Sequence, residues 1–168
     1  DRKHDFPQSF SFHAPWWDEY PVLNGYFGRL SLALSSGEQV NRTLILEPTT
    51  SAWMMYQPGA GSAQLDAMNE EFNQLLELLE SEQIEYDLGS ENIIRDHGSI
   101  EDEQFVIGQR KYNFVVIPRF LTNLNSETAG LLEQYLADGG IIIALCEPPA
   151  YIDGRLTDKC VNWTMEYA

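Results

Sequence analysis

Thr43-Leu44-Ile45-Leu46 is the stretch that decides the fold. It is continuously apolar after a β-branched residue, with no polar alternation, and such a run fits a short strand covered on both faces, as in a parallel sheet. The same pattern returns downstream in Tyr112-Asn113-Phe114-Val115-Val116-Ile117 and in Ile141-Ile142-Ile143-Ala144-Leu145. Helical periodicities separate these runs. Leu65, Met68, Phe72, Leu75, Leu76 and Leu79 recur at the spacing of one helix face between about Ser62 and Glu82, with the glutamates on the other face. Leu131, Leu132, Tyr135 and Leu136 do so after a cap at Asn125 or Ser126, and Gly139-Gly140 supplies the stop.

Glu85-Tyr86-Asp87-Leu88 reads as a weaker second strand. Gln104-Phe105-Val106-Ile107 and the Tyr112 run flank Gly108-Gln109-Arg110-Lys111, which predicts a hairpin or a short edge strand leading to a central one. Strands alternating with helices argue for an α/β protein: a mainly parallel sheet covered by helices on both sides, a three-layer sandwich of flavodoxin-like or class I glutamine amidotransferase-like type. This domain is expected to occupy residues 41–168.

Residues 1–40 read differently. Phe6, Phe10, Phe12, Trp16 and Trp17, spaced with Pro7 and Pro15, predict an extended aromatic arm, because proline denies it a helix. A helix comes next, with Asp18 as candidate N-cap, Pro21 in the first turn, and Val22, Leu23, Tyr26, Phe27, Leu30 and Leu34 at helical spacing before Gly37.

The 26 acidic and 10 basic residues give a formal charge of −16. Such a surface repels phosphate backbones and anionic lipid, which argues against nucleic-acid and membrane partners. Hydrophobic content of 43% belongs to a globular chain, and no apolar run approaches the roughly 18 residues of a membrane span. Cys146 and Cys160 form neither a disulfide framework nor a zinc spacing, so neither metal nor cofactor is expected. The sequons Asn41-Arg42-Thr43 and Asn162-Trp163-Thr164 are explained by chance. The chain starts at Asp1 without Met and stops at Tyr167-Ala168, and both ends read as cuts inside a longer protein whose flanks carry the chemistry.

Four places invite a functional reading. Pro58-Gly59-Ala60-Gly61-Ser62 precedes a helix, where backbone amides can cradle phosphate. Yet about eleven residues separate it from the strand, and neither GxGxxG nor a Walker lysine is present. Cys146 sits at a strand end, where cysteine hydrolases place their nucleophile. Its neighbours Glu147, Pro148 and Pro149 remove amide donors and oppose thiolate formation, which favours a small buried hydrophobe. Glu47 and Glu147 each come after a strand and could pair for acid–base work, or simply bond a neighbouring helix or arginine. His13, Trp16 and Trp17 could meet sugar, tryptophan stacking on C–H faces and histidine bonding a hydroxyl; otherwise they anchor an interface.

The segment Ser9-Phe10-Ser11-Phe12-His13-Ala14-Pro15-Trp16-Trp17 with Tyr20-Pro21-Val22-Leu23-Asn24-Gly25-Tyr26-Phe27-Gly28-Arg29-Leu30-Ser31 resembles the stretch leaving the catalytic barrel in large bacterial α-L-rhamnosidase-like glycoside hydrolases. Leu44-Ile45-Leu46-Glu47-Pro48 and Ser51-Ala52-Trp53 are similar to their next strand and loop. The chain beyond residue 57 resembles, at the level of fold, the amidotransferase-like domain shared with the trimerisation domain of family 42 β-galactosidases, which keeps the fold and lacks the chemistry. The resemblance implies a non-catalytic structural or interface domain in an exported (periplasmic or extracellular) bacterial carbohydrate-degrading enzyme. Its partners would be the catalytic barrel of the same polypeptide, carbohydrate through the parent enzyme, and further copies if the parent is an oligomer. His13, Trp16 and Trp17 are then the candidate substrate-binding residues, and the catalytic acids lie elsewhere. Two readings of other classes compete: a cysteine-dependent amidotransferase-like enzyme using Cys146, and a flavodoxin-like nucleotide binder using Gly59 to Ser62.

Overall fold

A computed structural model describes residues 11–59, 62–163 and 165–167. The chain divides into two compact units, Asp1–Gln39 and Val40–Ala168.

In the first unit, residues 11–17 are not extended as the prolines led us to expect. They fold into consecutive tight turns, closed by bonds from the Ala14 amide to the Ser11 carbonyl and from the Trp17 amide to the Ala14 carbonyl. Pro15 presets the backbone angle that a turn needs and so favours a turn as readily as an extended arm. Residues 6–10 of the expected arm lie outside the described residues. A 3₁₀ turn, Trp17–Glu19, leads into α1 (Tyr20–Ser35). Glu19, not Asp18, stands at the cap of α1 and makes no side-chain capping bond, because the 3₁₀ turn ahead of it already supplies backbone acceptors.

The second unit contains β1 (Thr43–Leu46), α2 (Thr49–Met55), α3 (Ala63–Ser81), β2 (Asp87–Gly89), α4 (Glu91–His97), β3 (Gly98–Glu101), β4 (Gln104–Ile107), β5 (Arg110–Tyr112), β6 (Phe114–Ile117), β7 (Asn123–Leu124), α5 (Ser126–Ala137), β8 (Ile141–Ala144), β9 (Tyr151–Ile152), β10 (Arg155–Leu156) and β11 (Glu166–Tyr167). The main sheet is parallel throughout, in the order β11-β8-β6-β1-β2. Four strands make its body, and the two-residue β11 extends it at one edge. An antiparallel meander β3-β4-β5 and a small sheet β10-β9-β7 stand beside it.

Period-two geometry sorts the sheet residues onto two faces. Leu44 and Leu46 of β1, Val115 and Ile117 of β6, and Ile142 and Ala144 of β8 join one core with Ile94, Phe105, Leu132 and Tyr135. Ile45, on the opposite face of β1, is also 0% exposed, so this strand is covered on both sides. That double burial is the physical reason for the uninterrupted apolar reading of Thr43–Leu46. Each such side chain contributes about 1.5–3 kcal/mol when taken out of water.

Two helices end or begin as their sequences dictate. Ser62 caps α3, its Oγ accepting from the Leu65 amide at 3.2 Å. After α5, Gly140 lies so close to Tyr135 that a Cβ there would clash with three carbons of its ring. The Tyr135 hydroxyl donates to the Asn113 carbonyl at 2.6 Å, and Phe105 packs edge-on against the same ring.

Candidate functional site

In open α/β sheets, chemistry gathers where strands end, outside their carboxyl edge and at the point where strand order reverses. Here that point lies between β1 and β6. The residues leaving the strands at this edge are Glu47 and Pro48 after β1, Ser90 and Glu91 after β2, Pro118 and Arg119 after β6, and Leu145, Cys146 and Glu147 after β8.

Most of the polar groups here are turned inward. Glu91, only 5% exposed, accepts from the Asn125 amide at 2.6 Å through Oε2 and from the Thr50 hydroxyl at 2.7 Å through Oε1. Ser51, fully buried, accepts from the amides of Thr122 and Asn123, both at 3.0 Å. The Asn123 side-chain oxygen accepts from the Gly154 amide at 2.8 Å. One polar knot thus fastens α2, α4, β7, the start of α5 and the β9–β10 hairpin. Its members satisfy backbone donors that lie at helix starts and in a loop, which is what buried polar groups must do.

Cys146 is partly buried and its thiol donates to the Pro118 carbonyl at 3.3 Å. Burial, chiefly, pushes this thiol above its ordinary range; the Leu121 backbone opposes it, Glu147 adds to the rise and Arg119 pulls the other way. A nucleophilic cysteine needs the opposite environment. Cys160, fully buried, is pushed up to about 11, again mainly by burial.

The two carboxylates singled out in the sequence line separate clefts. Glu47 borders a cleft of about 490 Å³ with Asp66, Asn69 and Phe72 of α3. Glu147 borders another, of about 420 Å³, with Cys146, Arg119 and Phe120. Arg119 pairs with Glu71 of α3 at 3.2 Å, an exposed pair worth little. In the glycine loop, Gly59 is described with a positive φ of 76°, Ser62 is engaged as the cap of α3, and Ala60 and Gly61 lie outside the described residues. The eleven residues between strand and loop contain α2, so the loop does not turn off the strand as a phosphate cradle would.

In the first unit, the Trp17 ring stacks on Tyr20 at 5.5 Å and Trp16 lies tilted against the same ring at 5.7 Å. Phe12 and His13 form a second pair at 3.9 Å. Trp16 and Trp17 remain 40% and 37% exposed, so the aromatics that could not be buried as an arm partly shield one another within a turn.

Sequence reasoning missed Thr50, Ser51, Glu91 and Asn123. The first two lie on α2 and Glu91 opens α4, both seven-residue helices too short to show a period. Among the described residues no three His, Cys, Asp or Glu side chains are grouped to hold a metal ion, and no helix is long and apolar enough to cross a membrane. No family model matches the chain, and neither the curated proteins nor the solved structures contain a match.

Proposed function

We propose that the Val40–Ala168 unit is a non-catalytic interface domain of a multidomain carbohydrate-degrading enzyme of α-L-rhamnosidase-like type, exported by a bacterium. One observation carries this reading: at the carboxyl edge, where such a sheet would work on a ligand, Ser51, Glu91 and Asn123 are spent on the protein's own backbone. A catalytic edge keeps a nucleophile and a base free to meet substrate.

The finer fold reading is flavodoxin-like, of the amidotransferase kind. Counting only the strands of the main sheet, its order is 2-1-3-4-5, the doubly wound arrangement. Right-handed crossovers from β1 to β2 and from β6 to β8 run in opposite directions across the sheet, which assigns α3 and α5 to opposite faces. The burial of both faces of β1 agrees with this three-layer plan. The competing cysteine-enzyme reading is disfavoured by the raised Cys146 thiol and its bond to Pro118. In the parent enzyme, the exposed faces of Trp16 and Trp17, with His13, supply a surface that stacks on sugar or on the neighbouring barrel.

Two measurements test the reading together. The purified chain should turn over neither aryl α-L-rhamnosides, aryl β-galactosides nor glutamine. An antibody raised against it should detect, in the organism that makes it, a polypeptide much longer than 168 residues. Turnover abolished by changing one of the chain's own acids, or by Cys146→Ser, would overturn the non-catalytic assignment. A single band at the length of this chain would overturn the multidomain one.

A further inference from the structure

Cations are scarce in this chain, 10 against 26 acids, so two of them lining one cleft stand out against the background charge. Arg155 and Lys159 border a cleft of about 500 Å³ together with Ile152, Asp153, Leu156 and Thr157. That volume lies in the range of small-molecule sites, about 300–1,000 Å³. Arg95, Lys111 and Arg119 pair with Asp96, Glu101 and Glu71, and among the described residues neither cation of the cleft takes part in such a pair. The cleft's own acid, Asp153, is engaged elsewhere, its Oδ1 accepting from the Ser126 amide at 3.0 Å.

The frame that carries these cations is stiff. β9 and β10 pair antiparallel through a two-residue turn, Asp153-Gly154, with φ of 50° and 70°, the mirror-image turn that suits hairpin twist. A hairpin tip is ordinarily loose, but this one is fastened from outside. The Asp153 amide donates to the Leu124 carbonyl at 2.9 Å and the Gly154 amide to Asn123 Oδ1 at 2.8 Å. Lys159 begins a 3₁₀ turn anchored by its neighbour Cys160, which is fully buried. Thr157 Oγ1 accepts from the Lys159 amide at 3.2 Å, which leaves its proton to donate into the cleft.

We propose that this cleft binds the carboxylate of an acidic sugar: Arg155 and Lys159 meet the carboxylate, Thr157 donates to a ring or hydroxyl oxygen, and Ile152 and Leu156 face the C–H surface. Arginine's planar fork matches a carboxylate in two parallel bonds, and the lysine adds a point charge. Leu156 is 77% exposed, an apolar surface available for a ring to cover. The net charge of −16 repels a bare anion at long range, so the charge contact needs the added ring contacts to hold a ligand. The sugar part of this assignment rests on the proposed function; the anion part rests on the cleft alone.

The test is a ¹⁵N–¹H correlation titration of the whole chain with sodium glucuronate at constant ionic strength, run in parallel with glucose and with acetate. Amides within 152–159 should shift along a saturable curve with a midpoint on the order of 5 mM, while glucose and acetate produce no saturable shift. The variant R155Q/K159Q changes exposed side chains and should keep the rest of the spectrum while weakening glucuronate at least about tenfold. The proposal is overturned by no saturation up to about 50 mM, by acetate or glucose matching glucuronate, or by undiminished binding in the double variant. It is equally overturned if the same amides move with protein concentration alone, since an acidic face of a second copy would then fill the cleft. Any of these failures leaves the proposed function to be judged separately by turnover and polypeptide length.

Discussion

Replacing Glu91 by alanine should be among the most damaging single changes in the second unit. The carboxylate is 5% exposed and accepts two bonds, from the Asn125 amide and the Thr50 hydroxyl. A hydrogen bond to a charged group contributes about 1.5–3 kcal/mol, and removal leaves the half-buried Asn125 amide without this acceptor and the Thr50 hydroxyl with only its longer contact to the Asn123 carbonyl at 3.3 Å. The two bonds together give a loss of about 4 kcal/mol, a large share of the 5–15 kcal/mol typical of a domain. Glu91→Gln keeps the shape and both contacts, its oxygen accepting from the Asn125 amide and its NH2 donating to a Thr50 hydroxyl turned toward the Asn123 carbonyl, but each bond loses its charge and about 1 kcal/mol, so the loss should be about 2 kcal/mol. Urea unfolding monitored by circular dichroism reads both. With a slope of about 2 kcal/mol/M, the midpoints should fall by about 2 M and 1 M respectively. Glu147→Ala, at an exposed position of the same edge, is the control and should stay within about 0.5 kcal/mol of the parent. A midpoint for Glu91→Ala within about 0.25 M of the parent would refute the claim that the knot holds this edge together.

Gly140→Ala should cost about 3 kcal/mol in the same assay, because the new Cβ displaces a Tyr135 ring held by its own hydroxyl bond; an unchanged midpoint would show that the ring can yield. Native Cys146 should alkylate far more slowly than free cysteine at pH 8, its thiol raised chiefly by burial, and reaction at the free rate would contradict that environment. The Tyr112 hydroxyl, raised mainly by burial and then by its bond to Asp87, titrates higher folded than unfolded. Its contribution to stability is therefore complete below the ordinary phenol value of about 10 and lost as pH rises through the folded value. Tyr112→Phe should lose about 1 kcal/mol at neutral pH and flatten the alkaline limb of the stability curve; a parallel downward shift at every pH would exclude the titration.

The sheet was legible because its central strands β1 and β6 are buried on both faces and β8, though Ile141 is exposed, is apolar throughout, so none carries polar punctuation: Thr43–Leu46, Phe114–Ile117 and Ile141–Ala144 fall inside the runs read as strands. The long helices were legible by period, α3 and α5 falling within two residues of their expected limits. The second strand sits one to two residues later than Glu85–Leu88, at Asp87–Gly89, since an edge strand has little apolar content to fix its register. α2, α4, β3 and the two-residue strands β7, β9, β10 and β11 were missed, all seven residues long or shorter and held by tertiary bonds instead of local periodicity. The candidate site fared worse for the same reason. Glu91 is one glutamate among many in an acidic chain, and only its burial separates it from the solvated ones.

The buried Asn41, two residues ahead of β1, constrains how this protein can be produced. Asn41, the acceptor of the first sequon, is 3% exposed, and its amide donates to the Tyr86 carbonyl at 3.2 Å and to Asp87 at 2.7 Å. A glycan attached to that nitrogen would take one of its two N–H donors, and its bulk at a buried position would keep β2 from pairing beside β1. In a eukaryotic secretory host, oligosaccharide transfer and folding would compete for the same side chain during translocation. Molecules modified first would be committed to the retained, degraded pool, and yield from such a host would rise with Thr43→Val, which breaks the sequon and leaves both Asn41 bonds in place, or with a switch to an unglycosylating cell.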